Sequence, residues 1–501
     1  MTVRRALILG EHPIAADLIR QYEALGYEVK RSSDASASSV DLAAIDELVL
    51  LPFGDEPDAV RADYECLALL IELAAGMEPS GKRLRCHVLL RAQATLQKLR
   101  AADFCESVSQ RIDLYPFTME DVWSRSIELD YEPVTLQSEK RVHLVVFGMS
   151  EIGEMVAINA AHRAHYPNYV LNHRLRTRIT VVDEDAARGQ ERWTSRYQHL
   201  LDNSYHRTVV PAAPQPVKAF HKPMYEGQRD EFVDVEWEFV EAKSHETGLR
   251  EKLQLWAADT RQLLTVVLAH DDEKQNVSEA MLLPDVLFQN EIPVYVYTRD
   301  GLASGLGTNL RPFGMMSCGY DVTLPLVRMA KNINYIYDRC YADNVERWDG
   351  RLHYSVEIDA GERERSWAKL KNVKRMSNIF NAMSIPSKMR SIGLEAGDWD
   401  KFYDISQQDL ELLAQVEHNR WCVEELIMGW RPCTPEEQRA IESDISLKEA
   451  FKKRKIHYDL RAYDDLRPDK TGKSSKIYDV CISGSLPLIA KAFAEEEGGL
   501  P

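Results

Sequence analysis

Two groups of residues in this chain have types and spacings suited to nucleotide chemistry. The first is Glu417-His418-Asn419-Arg420-Trp421, followed by Gly429-Trp430, His457-Tyr458-Asp459-Leu460 and Tyr463-Asp464-Asp465-Leu466. Arg420 brings a planar fork of donors that matches a phosphate, and Trp421, Trp430 and Tyr463 bring flat rings on which a base can stack. The plainer alternative is a small aromatic core, since buried rings pack more often than they bind. The second group is Phe147-Gly148-Met149-Ser150-Glu151-Ile152-Gly153, with Asp183 farther along. Glycines so placed let a strand turn sharply into a helix whose amino end faces a phosphate, and an acid ending the next strand accepts from a ribose diol. Ser150 occupies the middle position where a glycine is usual, which narrows the approach of a pyrophosphate but adds a hydroxyl donor. The alternative here is a sheet that keeps Gly148 and Gly153 for packing alone. Arg375 and Lys388 are further candidates for an anion contact, and Ser377 and Asn378 are read as helix caps.

These residues need a frame, and the first two thirds of the chain supply it twice. Arg4 to Gly10 and Arg141 to Gly148 are short apolar runs that end in glycine and lead into a helical pattern. Glu47 to Asp55 answers to Leu263 to Asp272, Arg85 to Leu90 answers to Ile292 to Tyr297, and Ile112 to Phe117 answers to Leu310 to Gly314. Apolar strands alternating with amphipathic segments predict parallel, doubly wound sheets covered by helices on both faces. The fold class is therefore α/β: tandem Rossmann-like sheets over 1–135 and 140–320, a helical connector over 321–395 and a mainly helical domain over 396–501. In the second sheet an insertion follows Asp185, through Arg192 to Arg196 and a proline-rich stretch at Pro211–Pro216, before a strand at Val235 to Phe239. Leu324 to Trp348 reads as a long amphipathic helix. Gly10-Glu11-His12-Pro13 offers few free amides and an acid that repels phosphate, so the first sheet is read as structural.

At 501 residues the chain has room for about three domains of ~150 residues each. With 45% hydrophobic and 28% charged residues it is an ordinary globular sequence, and it has no run of about 18 apolar residues to cross a bilayer. The first strand begins too early for a secretory signal, which gives a cytoplasmic expectation. The eight cysteines form no C-x-x-C pair and fit reduced, buried thiols without a metal site. A net charge of −17 disfavours nonspecific duplex binding, although Lys452 to Lys455 and Lys470 to Lys476 are locally basic. Gly472-Lys473-Ser474 lacks the upstream glycine of a P-loop, where Arg467 stands, so no NTPase is read from it. No catalytic constellation stands out, and His418 is read as a packing histidine.

The terminal group resembles, in order and separation, the repeat domain named after ryanodine receptors, over about the last 100 residues. The region from Gly148 to Asp183 resembles the TrkA-N, or RCK-type, Rossmann domain. These resemblances imply a nucleotide-sensing regulatory protein in bacterial nucleotide signalling or antiviral defence. A small nucleotide-like ligand would meet Arg375, Lys388, Arg420, Trp421, Trp430 and Tyr463. NAD or another adenine nucleotide would meet Gly148, Ser150, Gly153 and Asp183. They also imply a homodimer or larger symmetric assembly, paired through the helix beginning at Leu324. Two alternatives stay open: an NAD-dependent or nucleotide-consuming enzyme, and an RCK-like regulator of a separate ion channel.

Overall fold

The structure, a computed structural model, describes residues 3–33, 42–54, 56–77, 83–102, 104–211, 232–300, 309–342, 358–395, 398–466, 468 and 474–498. Residues 212–216 of the proline-rich stretch, Trp348, Arg467 and residues 470–473 of the second basic run lie outside them.

Two sheets form, and every strand pairing in them is parallel. The first contains β1 (Arg4–Leu9), β2 (Tyr27–Ser32), β3 (Glu47–Leu50), β4 (Leu84–Leu89) and β5 (Ile112–Phe117) in the order β2-β1-β3-β4-β5. The second contains β6 (Arg141–Phe147), β7 (Thr177–Asp183), β8 (Tyr205–Val209), β9 (Val235–Glu241), β10 (Gln262–Leu268), β11 (Val294–Tyr297) and β12 (Leu310–Phe313). Its order, β12-β11-β10-β6-β7-β9-β8, is the Rossmann arrangement with β8 added outside β9. The strands expected from apolar runs are all present. The two without such a run, β2 and β8, are edge strands, and β2 alternates half-buried with exposed residues, so neither needs an unbroken apolar stretch.

Each sheet reverses its strand order beside its first strand, between β1 and β3 and between β6 and β10. A glycine with positive φ marks each reversal: Gly10 at 100° and Gly148 at 97°. Space as well as torsion demands it. A Cβ on Gly10 would lie 2.3 Å from the Leu51 carbonyl oxygen, and one on Gly148 would lie 2.9 Å from that of Ala269.

Helices Ala59–Ala75 and Gln93–Ala101 cover one face of the first sheet, and Thr247–Ala258 and Glu273–Leu282 cover one face of the second. The remaining faces contribute to one shared core, in which Ile8 and Val49 of the first sheet join Leu144 and Val146 of the second, together with Trp193, Trp237, Val423 and Leu426. The insertion after Asp185 is thus partly helical, Ala186–Arg196 and Gln198–Asn203, and it buries Trp193 in that core.

The connector consists of helices Pro325–Ala342, Ala360–Lys369 and Asn372–Ser391. Ser377 and Asn378 lie inside the last of these and cap nothing, because the helix continues through them in both directions. The terminal region holds helices Gln407–Ile427, Pro435–Ser443, Leu447–Lys452, Lys476–Gly484 and Leu486–Gly498, with a short parallel pair β13 (Arg431–Pro432) and β14 (Ile456–His457). Gly429, at φ 83°, closes helix Gln407–Ile427: its N–H donates to Leu426 and that of Trp430 to Glu425, the left-handed glycine ending.

Two expectations change at the connector. The apolar face of Pro325–Ala342 is covered within the chain, where Ile333, Ile336 and Cys340 pack with Ile385, Leu413 and Ile482, so it is not a surface left for a second subunit. Cys340 and Cys481 are joined as a disulfide across this core, with Cα atoms 6.9 Å apart, although 141 residues separate them in sequence. Sequence spacing carries no sign of such a pairing. Cys66, Cys86, Cys422 and Cys433 remain buried thiols. Among the described residues no single helix is long and apolar enough to cross a membrane; Lys476–Gly484 and Leu486–Ala494 reach that length only together, with a 43° bend.

Candidate functional site

The glycine turn follows directly from β6. Ser150 caps helix Glu151–Arg163: its hydroxyl accepts from the Gly153 N–H at 3.1 Å and donates to the Ala269 carbonyl. A Cβ at Gly153 would fall 2.1 Å from the Gly148 oxygen, so both glycines are required by packing whether or not a ligand binds. Asp183 accepts from the backbone N–H groups of Met149 and Asp185, each at 2.9 Å. Its carboxylate thereby fixes the turn while each oxygen keeps capacity for a further donor.

Three side chains at this turn had no signal in the sequence. Arg192, exposed on helix Ala186–Arg196, donates to the Met149 carbonyl and brings a guanidinium to the mouth of the turn. Glu154 is buried, held by Arg196 at 2.7 Å and by the Tyr197 hydroxyl at 3.0 Å. His270, just past β10, has Nε2 3.0 Å from Glu279. Glu151 opens the helix, and burial pushes its carboxyl above the ordinary range against the pull of Arg196. An acid here opposes a phosphate directly, and Arg192 is the side chain placed to offset it.

The terminal group is arranged differently from a cage around a ligand. Arg420 is 1% exposed, and its guanidinium is spent on Glu417, through Nε and Nη2 at 2.8 Å each, and on Glu424. Lys388 is equally buried and donates to Glu417 and, at 3.0 Å, to Asn381. Arg375 bonds Asp113 of β5 at 2.8 Å and the Trp367 carbonyl at 3.0 Å. Tyr463 is 2% exposed, donates to Glu411 at 3.0 Å and packs with Ala414 and Leu466. These four side chains spend their polar groups within the chain: Arg420 because spacings of three and four along one helix bring Glu417 and Glu424 onto it, and Lys388, Arg375 and Tyr463 because neighbouring elements pack acids against them.

Trp421 and Trp430 do converge. Both are half-buried and flank His457, with ring centroids 4.9 and 5.7 Å away, edge to face. Burial lowers His457 to about 3, so it is neutral between the two rings. Glu425 is buried nearby, 4.0 Å from Lys374, and the Trp430 indole N–H has no acceptor among the described residues. Lys455 of the basic tract donates to the Met428 carbonyl at 3.0 Å and finishes the end of helix Gln407–Ile427. His418 is a packing group, as its sequence setting suggests: it is buried between the Arg461 carbonyl at 2.8 Å and Asp479 at 3.3 Å.

Among the described residues no group of three or more His, Cys, Asp or Glu side chains is placed to hold a metal ion. Comparison with protein-family models, curated proteins and solved structures gave no match.

Two outcomes follow from the charges. Arg420→Ala leaves buried carboxylates short of a cation and should destabilise the protein by about 3–5 kcal/mol in urea unfolding; a change below about 1 kcal/mol would mean the cluster is not structural. Burial alone would raise Glu417, but Arg420 and Lys388 override it and hold the group at about 2. Its folded value lies below its unfolded value, so its stabilisation is present above about pH 4.3 and is lost as pH falls through about 2.

Glu425 has the opposite sign. Burial lifts it to about 7, with Lys374 opposing and Glu424 reinforcing. A raised carboxyl costs stability as pH climbs from about 4.3 to about 7. Glu425→Gln should therefore raise the melting temperature more at pH 8 than at pH 5 relative to the parent, and equal shifts at both values would refute the assignment.

Proposed function

We propose that the protein is a nucleotide-sensing regulatory protein, in which NAD or another adenine nucleotide binds the glycine turn of the second sheet and the terminal helical region responds. The observation that carries this reading is the turn at the β6/β10 reversal. Gly148, the amino end of helix Glu151–Arg163 and Asp183 meet there, in the crevice where doubly wound sheets take their ligands. Arg192 adds a guanidinium for a phosphate. The resemblance to TrkA-N/RCK-type and ryanodine-receptor-type domains supports a regulatory role in bacterial nucleotide signalling or antiviral defence, with an effector or a separate channel as partner. In the terminal region, Trp421 and Trp430 are the rings left half-open for a nucleotide-derived signal.

The homo-oligomer of this reading needs a surface other than Pro325–Ala342. Val60, Tyr64 and Ile71 offer one, as an exposed apolar stripe on the outer side of helix Ala59–Ala75. A second reading, an NAD-dependent enzyme, is favoured by one observation: His270 follows β10 directly, its backbone adjoins Gly148, and its imidazole, held by Glu279 at 3.0 Å, is a candidate acid or base beside the turn.

Calorimetry with NAD, ATP and ADP-ribose tests the first reading. At least one should bind, and Arg192→Ala, an exposed change that spares the fold, should weaken it by about tenfold, as Asp183→Ala should. If none binds, or if both variants bind as the parent does, the glycine turn is a packing device only. Turnover of bound NAD that disappears in His270→Gln would favour the enzyme instead.

A further inference from the structure

The first sheet lacks a turn suited to a phosphate, yet it walls a cavity of about 540 Å³, within the size range of small-molecule pockets. The cavity lies at the amino ends of β1 to β5, where Arg4, Tyr27, Glu47, Arg85 and Asp113 stand. That is the end of the sheet opposite Gly10. Connector helices Pro325–Ala342 and Ala360–Lys369 form the other wall with Lys331 and Trp367.

The acids in these walls are already committed. Glu47 meets Arg85 at 2.9 Å and His87 at 3.1 Å, Asp113 meets Arg375 at 2.8 Å and the Tyr115 hydroxyl, and Glu364 meets Lys331 at 2.6 Å. Several donors are not. Arg83 has no hydrogen-bond or ion-pair partner among the described residues. Among the same residues Arg4 meets only the Leu25 carbonyl, at 2.7 Å, and the face of Tyr27, 4.5 Å from its ring centre. Tyr27, Tyr115 and Trp367 place flat rings around the same space.

We infer that this cavity binds a small organic phosphate bearing a planar ring, of the size and chemistry of a nucleoside monophosphate. Arg4 and Arg83 meet the phosphate, and the aromatic walls take the ring. The site does not use the glycine turn. Because its two walls belong to the first sheet and to the connector, the ligand stabilises their docking and so reaches the terminal helices packed on that connector.

Calorimetry and thermal shift on the full chain, with the four 5′-monophosphates of adenosine, guanosine, cytidine and uridine and with inorganic phosphate, test the inference. At least one nucleotide should bind about tenfold or more tightly than phosphate, and Arg83→Glu, on a half-buried side chain outside the core, should weaken it by at least as much. Failure of every nucleotide to bind overturns the inference, as does phosphate binding equally well, or Arg83→Glu leaving affinity unchanged. Arg192→Ala reports on the glycine turn, so a loss confined to that variant assigns the nucleotide there and also overturns the inference.

Discussion

The architecture depends on a buried ionic cluster, Lys388, Glu417, Arg420 and Glu424, in which every charge has an opposite partner within hydrogen-bonding distance. Removing such groups from water is expensive, and the cost is recovered only where geometry is tight and remaining donors are satisfied. Asn381 meets that condition by bonding both Lys388 and Glu417. The cluster fixes the register of helix Gln407–Ile427 on helix Asn372–Ser391.

Helix Asn372–Ser391 is in turn bonded to everything else. Arg375 ties it to Asp113 of the first sheet, Arg390 ties it to Asp130 in the segment between the sheets, and Phe380 stacks on His162 of helix Glu151–Arg163 at 3.7 Å between ring centres. Burial and the nearby Arg420 hold His162 well below its ordinary range, so this stacked ring is neutral. A shift of the terminal helices therefore cannot be confined to them. A ligand that changes the packing of the connector, at the first sheet or at the second, therefore acts on the same helix.

Much of the frame was legible because central parallel strands are buried over most of their length and so carry apolar runs, as in β1, β6 and β10, and because a glycine was unavoidable at each strand-order reversal. Edge strands β2 and β8 escaped because one side of each need not be buried. The glycine turn was legible for a similar reason, whereas Arg192 reaches it only through the path of the following helix. Arg420 beside aromatic residues suits a phosphate, but acids three and four residues away on one helix suit it better, and sequence does not say whether those acids face water or the core. The cavity at the first sheet was invisible, since its walls come from five strands, helix Ala15–Ala24 and two connector helices far apart in the chain.

The most direct test of this account is a double-mutant cycle on Lys388 and Glu417, with Lys388→Met, Glu417→Gln and the pair, followed by urea unfolding. The account predicts that the double variant is less destabilised than the sum of the singles by about 1–3 kcal/mol, because each single leaves its partner buried and uncompensated. Additivity within about 0.5 kcal/mol would show that the two charges do not depend on each other, and the cluster could not be what fixes the terminal helices to the connector.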